Sequence, residues 1–344
     1  MNIKQCLYTY RTLNKNTPPD DNTESKEHII PYALGGSNEL VTYDCSKIAN
    51  NDFGRDIDAP FIAIPLVGMK RHEFGLKGQS GHIPPIEMKA RVIELDKEGT
   101  MVFPYNGIPY VDLPLKSNGS MSEGRITFGG SPDKVKVAIT GLLKKANRKG
   151  LQVLSQDLAP IADSTTMIEN ATRETGQSVH VQMQLGTDNF FEPWAKGVLK
   201  IVLGLGHKIL GEQWTFSPSG DRIRMAIVSP ITKWQSIGIK GNVFCQLPPE
   251  IRTLLRIKPN IHTVGVLPYN DHRMAAIVSL FGGEIFEAII DLGDDVGRYA
   301  VIKDTLPSSM LTCFHIDPTN RKTETNTLEQ VLNNNPQLKC PDQA

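Results

Sequence analysis

The chain has 344 residues, 40% hydrophobic and 22% charged, which is enough for two domains with real cores. Lys and Arg total 37, as do Asp and Glu, so the net charge is zero and no global field draws the chain to nucleic acid or an anionic membrane. Five scattered cysteines, Cys6, Cys45, Cys245, Cys313 and Cys340, argue against a secreted disulfide framework.

The N-terminus offers no apolar run that would serve as a signal peptide. The most apolar stretch, Val198 to Leu210, is short for a bilayer and is broken by Lys200, His207 and Lys208. A soluble, cytoplasmic protein without a membrane partner is expected.

Residues 2–12 alternate loosely and predict a strand, and 14–26 a polar loop. A short strand follows from Glu27 to Pro31, where proline limits its length. Leu34-Gly35-Gly36-Ser37 is turn chemistry, and Glu39 to Tyr43 reads as the second strand of a hairpin. Asp44 is the expected N-cap of a helix that starts near Cys45, with Ile48, Phe53 and Ile57 facing a core. Pro60 to Leu76 predicts a second helix, and Pro84-Pro85 closes this first unit.

Beyond it, Ile86 to Leu95 and Thr100 to Tyr105 predict a hairpin, and 116–124 a loop. Pro132 to Lys149 predicts a basic helix and Val179 to Leu185 a strand. Phe190 to Leu210 is a helix with Trp194, Val198, Ile201, Val202, Leu205 and Ile209 on its core face, which places Lys196, Lys200 and Lys208 on the surface. Strands are expected at Ile223 to Val228, Ile261 to Val266, Ala275 to Phe281 and Ile285 to Ile290. From Asp317 the chain is polar, and a disordered tail or a late helix around Thr327 to Asn333 is expected. The fold class is α+β: a small domain over 1–80, a larger mixed α+β domain over 81–316, and a tail over 317–344.

The chemistry concentrates between Lys26 and Asp58. Glu27-His28-Ile29-Ile30-Pro31, Ala33-Leu34-Gly35-Gly36, Asn38 and Asn50-Asn51-x-x-Gly54 stand in an order and spacing that resemble the HNH, or ββα-metal, nucleases, in the branch that opens on an acid-His-Ile-x-Pro sequence. The resemblance covers about a fifth of the chain. It implies a metal-dependent endonuclease that hydrolyses DNA phosphodiesters, with His28 as general base and Asn38 orienting it. Glu27 would then ligate Mg²⁺ or Mn²⁺ together with an amide oxygen from Asn50 or Asn51.

Many members of that family carry two Cys-x-x-Cys pairs around a structural zinc. Here the first is reduced to Cys6-Leu7-Tyr8-Thr9 and the second to Thr42-Tyr43-Asp44-Cys45 or Ser46-Lys47-Ile48-Ala49, so no structural zinc is expected, and Cys6 and Cys45 would remain as a small apolar pair. Arg55, Lys70 and Arg71, with Lys144, Lys145 and Arg148 of the basic helix, are the candidates for phosphate contact, though solvated surface charge is the stronger reading of each.

Family members fused to a larger domain often act in prokaryotic defence against foreign DNA, which would make DNA, and other proteins of a defence system, the partners. Two alternatives stand beside the nuclease: a catalytically inactive nucleic-acid-binding protein, and a nucleotide-sensing effector whose output is the nuclease domain.

Overall fold

A computed structural model of the chain describes residues 4–16, 18–93, 97–112, 116–120, 125–129, 137–138, 140–141, 144, 148, 181–184, 190–270, 273–293 and 312–327. The chain forms two compact units, one of Met1–Ile83 with Thr187–Ala344 and one of Pro84–Gly186. The expected 81–316 domain is thereby divided, and its second part joins the N-terminal segment.

In the first unit, β1 (Glu27–His28) pairs antiparallel with β2 (Val41–Thr42). Helix α1 (Lys47–Phe53) follows and runs into a π turn at Gly54–Asp58, then α2 (Ala59–Ile62) and α3 (Pro65–Glu73). Ser46, not Asp44, caps α1, accepting from the Ala49 N–H at 3.3 Å. The second expected helix is split in two, and Pro65 starts the second piece because its missing N–H is harmless in a first turn.

Of the strand expected over 2–12, the described residues, 4–12, are not a strand. They form a tight loop in which the Cys6 carbonyl accepts from the Thr9 and Tyr10 N–H groups, and Cys6 N–H donates to Arg11.

The second unit holds a four-stranded antiparallel sheet in the order β5-β4-β3-β8, built from β3 (Ile86–Val92), β4 (Lys97–Phe103), β5 (Tyr110–Asp112) and β8 (Val181–Gln184). The expected loop at 116–124 contributes instead to a second hairpin, β6 (Lys116–Ser120) with β7 (Arg125–Gly129). Of the basic helix expected over 132–149, residues 137, 138, 140, 141, 144 and 148 are described and are helical; the rest, Lys145 among them, lie outside the described residues.

The first unit resumes with α4 (Phe191–Leu210), α5 (Glu212–Thr215), α6 (Pro218–Val228) and α7 (Trp234–Ile237), then β9 (Gly241–Cys245) and α8 (Pro249–Leu254). It ends with β10 (His262–Asn270), β11 (Arg273–Ser279), β12 (Glu287–Asp291), β13 (Thr312–Asp317) and β14 (Lys322–Thr327). These strands form one antiparallel sheet in the order β14-β13-β10-β11-β12-β9.

Two expectations fail here for identifiable reasons. Ile223 to Val228 is helical because Ser217 caps α6, accepting from Ser219 and Gly220, and Pro218 occupies its first turn. The start of the tail is a hairpin, β13 with β14, because Phe314 and Ile316 are buried and Asp317 closes the turn by accepting from Thr319 and Asn320. The late helix lies outside the described residues.

Alternation along the strands splits the sheet's faces. Val264, Val266, Ala276, Val278, Phe314 and Ile316 turn to the core that contains α4, while Leu267, Ile277 and Cys313 join a smaller cluster with Leu247 and Leu255. The larger core also contains Leu7, Ile29, Leu34, Phe53 and Phe61. The N-terminal segment therefore has no core separate from that of the C-terminal sheet.

Candidate functional site

A cleft of about 270 Å³ opens where β1, the turn after it and α1 meet, and Glu27, His28, Asn50, Asn51 and Asp58 line it. Adjacent strand residues ordinarily face opposite ways. Glu27 and His28 share the cleft because β1 is only two residues long and breaks at once towards Pro31. The turn needs both glycines: Gly35 has φ 86°, and a Cβ on Gly36 would stand 1.9 Å from the Ile30 carbonyl oxygen.

His28 is half-buried, with Nε2 at 3.0 Å from Asn38 Oδ1. The same oxygen receives the Lys26 ammonium at 2.5 Å. An ammonium only donates, so the atom it meets is an acceptor, and Nε2 must reach that atom as N–H. Nδ1 is then the basic nitrogen. Burial is the largest influence on the imidazole and lowers its pKa; Asn38 works against it, while Lys26, Arg321 and Lys200 add to the lowering. The Tyr32 ring lies 5.2 Å from the imidazole, centroid to centroid, and Arg321 stacks on the other ring system at 3.5 Å from the Tyr32 centroid while donating to the Tyr32 carbonyl.

Glu27 is buried. Its Oε1 accepts from the Tyr8 hydroxyl at 3.2 Å and pairs with Lys200 at 2.5 Å. Lys200 also reaches Asp58 Oδ2 at 2.6 Å. The ammonium is thus held inside an apolar helix by two carboxylates, which outweigh the burial that works against its charge and hold its pKa up. Burial raises the Asp58 carboxyl, with Lys200 opposing that rise. Asp58 Oδ1 is buried without a hydrogen-bond partner.

Asn50 donates through Nδ2 to Ser25 Oγ and to the Lys26 carbonyl, both at 2.8 Å, which fixes α1 against the approach to β1 and leaves the amide oxygen as its uncommitted atom. Asn51 is exposed on the cleft wall.

The other sequence candidates stand elsewhere. Arg55 is exposed and pairs with Asp52 and Asp56. Lys70 pairs with Glu73 and Glu284. Arg71 is buried, and its guanidinium donates to the carbonyls of Ala33 and Leu76, so it supports the loop rather than presenting charge. Lys144 and Arg148 are exposed in the second unit.

Cys6 and Cys45 are neighbours, both fully buried in the hydrophobic core. The Cys45 thiol hydrogen-bonds to Cys6, pulling the Cys6 pKa down to about 4 and pushing that of Cys45 up, and Cys6 Sγ accepts the Ser46 N–H at 3.3 Å. Asp44, freed from capping, accepts from Lys4 and pairs with His207 Nε2 at 3.0 Å, which helps hold its carboxyl at about 2.

A reading of the sequence overlooks Asp58 and places Lys200 on the surface, whereas Lys200 is buried. A signal for Lys200 existed: Gly197, Lys200, Gly204 and His207 recur at spacings of three and four and define a second face of α4, small and polar beside the apolar one. That face meets the cleft-bearing segment, with Gly197 against Phe61, Gly204 against Ile29 and His207 on Asp44. Comparison with protein-family models, with curated proteins and with solved structures gave no match for the chain.

Proposed function

We propose that the cleft is the active site of a metal-dependent endonuclease of the HNH type that hydrolyses DNA phosphodiester bonds, with His28 as general base. The observation that carries this reading is the Lys26–Asn38–His28 chain, which leaves a neutral imidazole with its Nδ1 lone pair available beside a buried acidic wall. An imidazole whose pKa lies below the usual value is unprotonated at neutral pH and able to take a proton from water. Asn38 keeps the ring oriented while that proton arrives, and Tyr32 limits its tilt from the side.

Among the described residues no group of three or more His, Cys, Asp or Glu is placed to hold a metal ion, so a cation here would depend on an asparagine oxygen beside the acids. Glu27, Asn50, Asn51 and Asp58 line the cleft beside His28, and Asp58 Oδ1 is a buried oxygen without a hydrogen-bond partner, which supports an oxygen-rich site of the kind a hard cation takes. Glu27 and an asparagine oxygen would hold Mg²⁺ or Mn²⁺, which supplies neutralising charge at the phosphate and at the leaving oxygen. Tyr8 and Lys200 hold Glu27 in place for that role. The resemblance of the Glu27–Gly54 stretch is what favours DNA as substrate and prokaryotic defence as the setting.

Incubation of supercoiled plasmid with Mg²⁺, Mn²⁺ or chelator is the test. Nicking that needs metal and disappears in His28→Ala is expected. Equal cleavage by the variant, or DNA binding with no cleavage under any metal, sinks the reading; the latter outcome identifies an inactive binding protein.

A further inference from the structure

Helix α4 places an ammonium between two carboxylates at the wall of the cleft, and each of those carboxylates has one oxygen that the ammonium does not hold. Lys200 meets Asp58 through Oδ2, and Oδ1 is buried with no partner. Lys200 and Tyr8 both meet Glu27 through Oε1. A buried acceptor without a donor is costly and rare in folded proteins, so such an atom usually marks a missing partner.

Asp58 closes the π turn Gly54–Asp58, an uncommon winding that interrupts the regular hydrogen-bond ladder and is frequent at functional sites. Both carboxylates line the cleft with Asn50 and Asn51. Apart from the His28 imidazole, the ligand atoms these residues offer are oxygens.

We propose that Asp58 is a second carboxylate ligand of the divalent cation, and that Lys200 is a built-in counter-ion that keeps the Glu27–Asp58 pair folded without metal and sets how tightly the cation binds. The inference rests on the metal-dependent reading given above. Charge explains the division of labour. Two carboxylates and one ammonium carry a net charge of −1, which a divalent cation turns to +1. A site left positive accepts the substrate phosphate, and it binds the cation alone only weakly. Lys200 is therefore a positioning residue: it grips one oxygen of each acid and leaves the other for the cation.

Mn²⁺ titration by calorimetry, in the absence of DNA, tests this with the full chain. Lys200→Met removes the competing charge and is expected to bind Mn²⁺ at least tenfold more tightly than the wild type, with a melting temperature that Mn²⁺ raises more than it raises the wild type's. Asp58→Asn keeps the shape and is expected to lose at least tenfold in Mn²⁺ affinity.

Unchanged or weaker binding by folded Lys200→Met, or unchanged binding by Asp58→Asn, overturns the proposal. If Lys200→Met does not fold with or without Mn²⁺, the Asp58→Asn titration decides alone. The two readings fail separately: plasmid left intact by a protein that shows these Mn²⁺ affinities removes the nuclease, whereas metal-dependent nicking with unchanged affinities removes the roles of Asp58 and Lys200.

Discussion

Lys26 determines which nitrogen of His28 is basic, because it fixes Asn38 Oδ1 as an acceptor and so assigns the proton to Nε2. It also lowers the His28 pKa through its charge, behind the larger effect of burial. The sign follows: an imidazole depressed below the ordinary value of about 6.5 stays neutral as pH falls to that value and gains its proton only lower. NMR titration of the His28 ring should give a midpoint below 6.5, and Lys26→Ala should raise it. A wild-type midpoint at or above 6.5 would contradict the assignment.

The cluster of Glu27, His28, Asn38, Asn50 and Asn51 was legible because its residue types stand in order on a short stretch of chain. Asp58 and Lys200 were not: they are 142 positions apart, and a lysine on an apolar helix ordinarily reads as surface. Only the fold brings a carboxylate to that ammonium.

Helix α4 has two working faces. Its apolar face packs with the sheet core, and its second face lets the N-terminal segment approach closely through glycines. A Cβ on Gly197 would stand 2.4 Å from the Phe61 ring. Alanine in place of glycine inside a helix ordinarily stabilises by about 1 kcal/mol. Here crowding against a buried ring opposes that gain, and overpacking typically costs about 1–3 kcal/mol. Gly197→Ala should therefore lower stability to chemical denaturation, whereas a gain would mean that the close approach has no energetic weight.

The face was written in the sequence as a spacing, yet the stronger apolar stripe through Trp194, Val198 and Leu205 masked it. The same competition hid α6, whose capping Ser217-Pro218 outweighs the strand-like run after it. At the β13–β14 hairpin, polar composition concealed alternating threonines on a paired strand.

At the scale of the molecule, the cleft stands on a core shared between the first 83 residues and the C-terminal sheet. His262, fully buried on β10, is one link between them. Its Nδ1 accepts from the Phe281 N–H at 3.0 Å, and its Nε2–H donates to the carbonyl of Leu34, in the loop beside the cleft, at 2.7 Å. Burial pushes its pKa down to about 4.

The unfolded chain binds a proton near pH 6.5 and the folded one only near 4, so stability present above 6.5 is lost as pH falls towards 4. Between pH 7.5 and 5 this residue should account for about 2 kcal/mol of lost stability. Urea unfolding of His262→Gln at both pH values should show that much less acid sensitivity than the wild type; equal sensitivity would remove His262 as the cause. The division of the chain was the least legible feature, since a core shared across more than a hundred intervening residues leaves no local mark.

In the proposed reading His28, neutral and held by Asn38, is the base of a metal-dependent nuclease. The rate of Mn²⁺-supported plasmid nicking, followed from about pH 5 to 8 for the wild type and His28→Ala, decides whether it is. The wild-type rate should rise through a midpoint below 6.5 and level off, while the variant should be slower by about 10²-fold or more at neutral pH and show no such midpoint. Matching rates and matching pH profiles in the two proteins would contradict the claim.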